Sequence, residues 1–348
     1  MTGKEYSENV ARFERIVGER KRDETMAALI IDSPWLPGFA GMDTRDFLFD
    51  TAAWLAAYEK AHAALPGAVF IPDVWVELGM AAEPSGFGVP IQWHGNMPPS
   101  ILPFPGGLQG LVDAETPDPE RDGLMPMMLR QYERMMPLLA ERGMPPRMAA
   151  ARGPLAVAGH LAGLTELLMA TQIDPDKCLA VVEKTTELCI RWLKSQLDRM
   201  DDPVAVLVLD DVVGLISPDD AERFGTPFLK RIFDAFPDLV RVFHDDTPNK
   251  AVFPGLARVG FDVFNFSHEV DMEEARDLVG PDMVFMGNLP PLDLLVRGTP
   301  KEVGEATRAL VKRMDQVGPL LLSPGGGVSP GTPVENLQAM LNALENPS

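Results

Sequence analysis

Short apolar runs recur through the second half of the chain, and each stops in polar residues. Leu239-Val240-Arg241-Val242-Phe243 runs into His244-Asp245-Asp246, Val263-Phe264 into Asn265, Met283-Val284-Phe285-Met286 into Gly287-Asn288, and Leu320-Leu321-Leu322 into Ser323-Pro324 and three glycines. Bounded runs of this kind read as buried strands. Helical patterns separate them, starting near Pro218, Asn249, Met272, Pro291 with Pro300, and Val334. Further upstream, strands near 147–152 and 204–209 bracket helices over 155–170 and 175–200, and Ala68-Val69-Phe70-Ile71-Pro72-Asp73 is the first clear strand. Strand, helix, strand is the rhythm of a parallel sheet. Seven strands are countable; an irregular segment or Met26–Ile31 supplies the eighth. The pattern predicts an α/β fold, a (β/α)8 barrel. Its carboxyl strand ends converge on one mouth, so Asp73, Asp210, His244, Asn265 and Asn288 are expected around a single cavity.

The first 66 residues read as a helical cover on a barrel spanning 67–348, all in one domain. Lys4 to Glu24 is a charged helix, and Thr44 to Ala64 a second, capped by Asp43 or Thr44. From about 83 to 107 the chain is dense in proline and glycine and predicts a hairpin-like insertion with Trp93 and His94 placed to close over a ligand. Pro117 to Arg142 reads as a helix whose many methionines fill a core. Thr332 and Glu335 have capping-box spacing ahead of the last helix.

At 348 residues and 46% hydrophobic content the chain can bury a large core. Its 31 basic and 51 acidic residues give a net charge of −20, which argues against nucleic-acid and anionic-membrane partners. No signal-type segment or membrane-length apolar run occurs, so a cytoplasmic protein is expected. Cys178 and Cys189 would sit roughly 16 Å apart along one helix face at 1.5 Å per residue, too far for a disulfide, and are read as buried thiols.

Several motifs in this order resemble the uroporphyrinogen decarboxylase superfamily, which includes the cobamide-dependent methyltransferases. They are Phe70-Ile71-Pro72-Asp73 with Leu78-Gly79-Met80, Gly153-Pro154 with Glu166-Leu167-Leu168-Met169, and Asp210 with Gly214-Leu215-Ile216-Ser217-Pro218. The strand ending in His244 follows, then Gly260-Phe261-Asp262, Gly287-Asn288-Leu289, and Ser323-Pro324-Gly325-Gly326-Gly327 with Gly331-Thr332-Pro333. The resemblance implies a distorted (β/α)8 TIM barrel, with Asp73 matching the family's catalytic aspartate. It departs from authentic uroporphyrinogen decarboxylases in three ways. The amino-terminal arginine segment that holds substrate carboxylates is missing, His160 stands in place of a tyrosine, and Gly326 stands in place of a histidine. The methyltransferase branch carries zinc on a His-x-Cys pair and a distant Cys; here His244 matches the histidine, while Asp246 and Gly326 replace the cysteines. A thiolate site is thereby excluded, and a mixed nitrogen and oxygen site is not.

The candidate catalytic residues are Asp73, Glu77, Asp210 and His244. His244 and Asp246, with Glu77, are candidate ligands for zinc or another divalent ion, the alternative being a metal-free hydrogen-bonded cluster. Asp210 and Asp211 must point in opposite directions if the strand continues, and Asp210 is assigned to the site. Trp93, His94, His160, Asn265, Asn288 and Gly326 are candidate substrate contacts; for the two asparagines the alternative is satisfying loop backbone. The reading ranked first is a methyltransferase moving a methyl group from a small O- or N-methyl substrate to a corrinoid, free or on a partner protein. A decarboxylase-like lyase with a smaller substrate and a non-catalytic binding barrel are the alternatives. Homodimerisation is left open.

Overall fold

The computed structural model describes residues 3–315 and 317–345. Its strands are β1 (Met26–Leu29), β2 (Ala68–Phe70), β3 (Ile91–Gln92), β4 (Ser100–Ile101), β5 (Met148–Arg152), β6 (Ala205–Leu209), β7 (Val240–Asp245), β8 (Val263–Phe266), β9 (Val284–Leu289) and β10 (Leu320–Pro324). All but β3 and β4 lie in one eight-stranded sheet, in the order β2-β1-β10-β9-β8-β7-β6-β5. Every pairing in it is parallel. β1 supplies the eighth strand, so the amino-terminal 66 residues are not solely a cover: the barrel begins inside them.

Both faces of this sheet are buried, which is why its strands read as continuous apolar runs. Side chains alternate across each strand. Met26, Ala28, Val69, Met148, Ala150, Leu207, Val242, Val263, Val284 and Leu321 fill the interior. Ala27, Leu29, Phe70, Ala149, Val206, Phe243, Phe264, Phe285 and Leu322 face the surrounding helices. On that outer layer Phe243 and Phe264 stack with ring centres 5.9 Å apart, and Phe266 meets Phe285 edge-on at 4.9 Å.

The first helix, Gly3–Glu19, buries Tyr6, Val10, Phe13, Ile16 and Val17. These pack on Met26, Met148, Val204 and Ala205, which open their strands, so the helix plugs the amino end of the barrel. The expected helix over 44–64 is two, Thr44–Phe49 and Thr51–Ala64, because Asp50 leaves helical geometry and caps the second through Ala52 N–H. Asp43 caps the first, its side chain accepting from Arg45 N–H. The expected helix over 155–170 likewise breaks at Gly163, whose φ of 88° is open to glycine. Thr332 does not cap the last helix as expected; its hydroxyl donates to the Ser329 carbonyl, and the capping box lies instead at Thr299 and Glu302. Met125, Met128 and Met135 are core residues, and both cysteines are buried free thiols.

β2 and β5 do not pair. Between them the chain rises from Asp73, whose carboxyl accepts from Arg147 N–H just ahead of β5, to Glu77, 3.9 Å from Arg152 at its end. This irregular segment closes the barrel. The insertion contains the expected hairpin, with Ile91 opposite Ile101 and Gln92 opposite Ser100. It is tied to Thr44 through Asn96 and to the helix Pro154–Ala162 through Phe104 N–H on Leu161 O, 2.7 Å, forming a strap on the carboxyl side. No single helix among the described residues is long and apolar enough to cross a membrane.

Candidate active site at the carboxyl end of the barrel

β6 ends in two aspartates that turn opposite ways, and the one facing the mouth is Asp211. Asp210 is fully buried, and its Oδ2 accepts from Leu155 N–H at 2.9 Å, at the start of the helix Pro154–Ala162. The carboxyl lies so close to Gly153 that a Cβ there would come within 2.4 Å of Asp210 Oδ2. Burial pushes this carboxyl up to about 8 despite the backbone donors. The assignment of Asp210 to the site is therefore corrected: it caps a helix, because a helix start with free N–H groups lies directly behind β6.

His244, at the end of β7, is buried and places Nδ1 2.6 Å from Asn265 Oδ1. Asn265 is fully buried, and its amide nitrogen donates to Met286 O at 2.7 Å and to Pro324 O at 3.2 Å. Those acceptors fix which end of the amide faces His244. The oxygen faces it, so Nδ1 carries the proton and Nε2 is the free nitrogen. Nε2 lies 3.4 Å from Asp211 Oδ1. Asp211 Oδ1 also accepts from Asp246 N–H at 3.1 Å, so the backbone holds both carboxylates at the same corner. Ligand atoms of Asp211, His244 and Asp246 all fall within 4.8 Å of one another. Burial and the neighbouring charge of Asp211 raise the Asp246 carboxyl, with His244 and His268 opposing. Gly326 borders this corner; a Cβ on it would stand 3.2 Å from Asp246 Oδ2.

Asp73 is not in the mouth. Its Oδ2 bonds with the Tyr6 hydroxyl and accepts from Arg147 N–H at 2.7 Å, at the amino end of the barrel. The strand stops at Phe70, and the segment after it drops back to the foot of β5. Burial pushes this carboxyl up to about 6. Glu77 is at the mouth but apart from the three-residue corner, accepting from Ser33 and Gly79 N–H beside Arg152. Asn288 uses its amide on the Val270 and Ser267 carbonyls, the duller of its two readings, and lines a cleft of about 380 Å³ with His268, Met272 and Leu310. His160 is exposed on the helix Pro154–Ala162. His94 pairs with Ser100 at 2.9 Å within the strap, and Trp93 packs on Phe49 at 5.1 Å. Asp211 was legible as Asp210's neighbour; Asp32, Ser33 and Arg152 at the mouth were missed, although Asp32-Ser33 follows the apolar run Ala27–Ile31 as the other polar strand ends follow theirs.

The family model for uroporphyrinogen decarboxylase (URO-D) matches residues 73–346. The chain belongs to the URO-D family. Within it, a methylated-thiol–coenzyme M methyltransferase of Methanosarcina mazei is 29% identical over 244 residues, 67% of this chain and 62% of that protein. The methylcobamide:CoM methyltransferase MtbA of Methanosarcina acetivorans is 29% identical over 201 residues, 56% of each. A uroporphyrinogen decarboxylase of Gloeobacter violaceus is 28% identical over 180 residues, 50% of this chain and 49% of that one. The matches thus span about half to two thirds of these relatives' lengths. A methyltransferase structure from Methanosarcina mazei superposes with a TM-score of 0.80 over 96% of this chain and 97% of its own, at 18% identity, which establishes the URO-D barrel fold. For a URO-D member, the corner is suited to a divalent cation: one oriented imidazole nitrogen and two carboxylates are ligands for zinc, manganese or iron, and no thiolate is present there.

Proposed function

We propose that this URO-D family member is a methyltransferase that moves a methyl group from a small O- or N-methyl compound to a corrinoid, free or carried by a partner protein. The observation that carries the reading is the Asn265-oriented His244, whose Nε2 shares a corner with Asp211 and Asp246. Asp211, His244 and Asp246 would hold a divalent cation, which when bound supplies a Lewis acid at the methyl donor's heteroatom. The protein's own part is to orient and enclose. Asn265 fixes the imidazole, the Asp246 backbone fixes Asp211, and Gly326 leaves the approach to the corner free of a side chain. Trp93 and His94 on the strap are assigned to the substrate's far side.

The methyltransferase relatives support this reading over decarboxylation, and so does the charge of the mouth. Its arginine, Arg152, lies between Glu77 at 3.9 Å and Glu83, which accepts from Arg152 N–H. A polycarboxylate would meet a guanidinium whose charge Glu77 and Glu83 already oppose. The test is to incubate the protein with zinc or manganese, free cob(I)alamin, and methoxyphenols or methylamines, following cobalamin absorbance. Methylcobalamin formation that requires His244 and Asp211 supports the proposal; carbon dioxide release from carboxylated substrates without methyl transfer refutes it.

A further inference from the structure

A methyl group leaving an ether oxygen or an uncharged amine nitrogen strands an electron pair on a basic, anionic heteroatom, and that pair takes up a proton. The residue best placed to give one lies on the other side of Gly326 and Gly327 from the His244 corner. A Cβ at Gly326 would stand 3.2 Å from Asp246 Oδ2, and one at Gly327 would stand 3.9 Å from Asp32 Oδ2. Two adjacent glycines thus face one carboxyl each, with bare backbone between them. Asp32 follows β1 at the carboxyl end of the barrel. Its Oδ1 is buried and has no hydrogen-bond partner among the described residues, and the same holds for the Ser33 hydroxyl and Arg152 Nε beside it. Ser33 is 2% exposed and donates its N–H to Glu77.

The charged groups acting on Asp32 are Glu77 and Arg152. Burial first, then the charge of Glu77, hold the Asp32 carboxyl well above the usual carboxylate range, while Arg152 pulls it down. A carboxyl held above its usual range, with one buried oxygen unengaged beside bare glycine backbone, is equipped to donate a proton.

We propose that Asp32 is the general acid of this site, protonating the heteroatom that leaves a methyl donor bound between it and the Asp211, His244 and Asp246 corner. The inference rests on the methyl-transfer reading. In the step, the bond from methyl carbon to heteroatom breaks and its electron pair stays on the heteroatom. That pair takes the Asp32 proton. The methyl carbon forms its new bond to the acceptor's cobalt(I), which supplies the pair, and the Asp32 carboxylate regains a proton from solvent.

The experiment compares Asp32→Asn with the wild type on two donors, with free cob(I)alamin as acceptor. Departure of 2-methoxyphenol's methyl group leaves a phenolate-type oxygen that needs a proton; tetramethylammonium leaves neutral trimethylamine, which needs none. Asp32→Asn should lower kcat for 2-methoxyphenol by about 100-fold or more with little change in KM, leave tetramethylammonium within about threefold, and remove the alkaline limb of the methoxyphenol pH profile. Asp32→Glu should restore part of the rate. Independently of turnover, the infrared carbonyl band of neutral carboxylic acids at pH 7 should lose intensity in Asp32→Asn. An equal loss with both donors, no loss with either, or an unchanged infrared band overturns the inference while leaving the methyl-transfer reading standing. Failure of the wild type to transfer methyl from any donor overturns that reading and the inference with it.

Discussion

Asn265 spends its amide nitrogen on two carbonyls and so has only its oxygen to offer His244. Removing it frees the ring to rotate and the Nδ1 proton to relocate. Asn265→Ala should therefore weaken zinc or manganese binding by about 10–100-fold, the usual cost of losing a ligand-orienting partner. His244→Ala and Asp211→Ala should abolish it, and Asp210→Asn should leave it intact, because Asp210 faces the helix Pro154–Ala162. Equilibrium dialysis of the four variants decides this; metal retained by Asp211→Ala and lost by Asp210→Asn would reverse the assignment. The chain's alternation said that one of the two aspartates enters the mouth, but which one depends on where the next helix starts, and that is set by packing rather than by the local sequence.

At the scale of elements, the plug helix Gly3–Glu19 and the segment 73–77 meet in one buried contact, Tyr6 on Asp73. Tyr6→Phe leaves a buried carboxyl short of a partner and should cost about 1–3 kcal/mol in urea unfolding, with metal binding unchanged since the contact lies at the opposite end from the mouth. The burial of Asp73, which the Tyr6 hydrogen bond opposes only in part, also sets a pH dependence. Burial raises the Asp73 carboxyl from 3.8 to about 6, so between those values the folded chain binds more protons than the unfolded one, and stability falls as pH rises through that window. The decrease is about 3 kcal/mol for this group, complete above pH 6. Urea midpoints across pH 4 to 8 would show it; a rise over pH 4 to 6 that Tyr6→Phe does not alter would contradict it. Strand positions were legible because both faces of the sheet are apolar. Asp73 was misplaced because Pro72-Asp73 extends an apolar run, and nothing in the run shows that β2 stops at Phe70 before the chain drops to the foot of β5.

On the whole-molecule scale, the net charge of −20 and the carboxylates of Glu77 and Glu83 beside Arg152 oppose polyanionic ligands. Uroporphyrinogen should bind weakly, less than methoxyphenols at equal concentration, and release no carbon dioxide; calorimetry and a trapped-gas assay would check both, and tight binding would contradict the charge argument. The barrel and the strap hairpin could be read from periodicity and from proline and glycine content. The corner of Asp211, His244 and Asp246 could be read only in part, because it joins residues from two strand ends whose rotation about the barrel axis no single strand records.

The seam between β2 and β5 gives the barrel a weak line. Elsewhere each strand is held by a ladder of main-chain bonds on both sides, whereas here Arg147 and Arg152 donate their amides to the carboxylates of Asp73 and Glu83. A ladder opens only when a whole strand lifts, but a side-chain acceptor can swing away alone. In deuterated solvent the amides of Arg147 and Arg152 should exchange well before those of Leu207 or Phe264 in the middle of the sheet, and mild heating should open the cylinder along this line into a curved strip while its other strands still hold together.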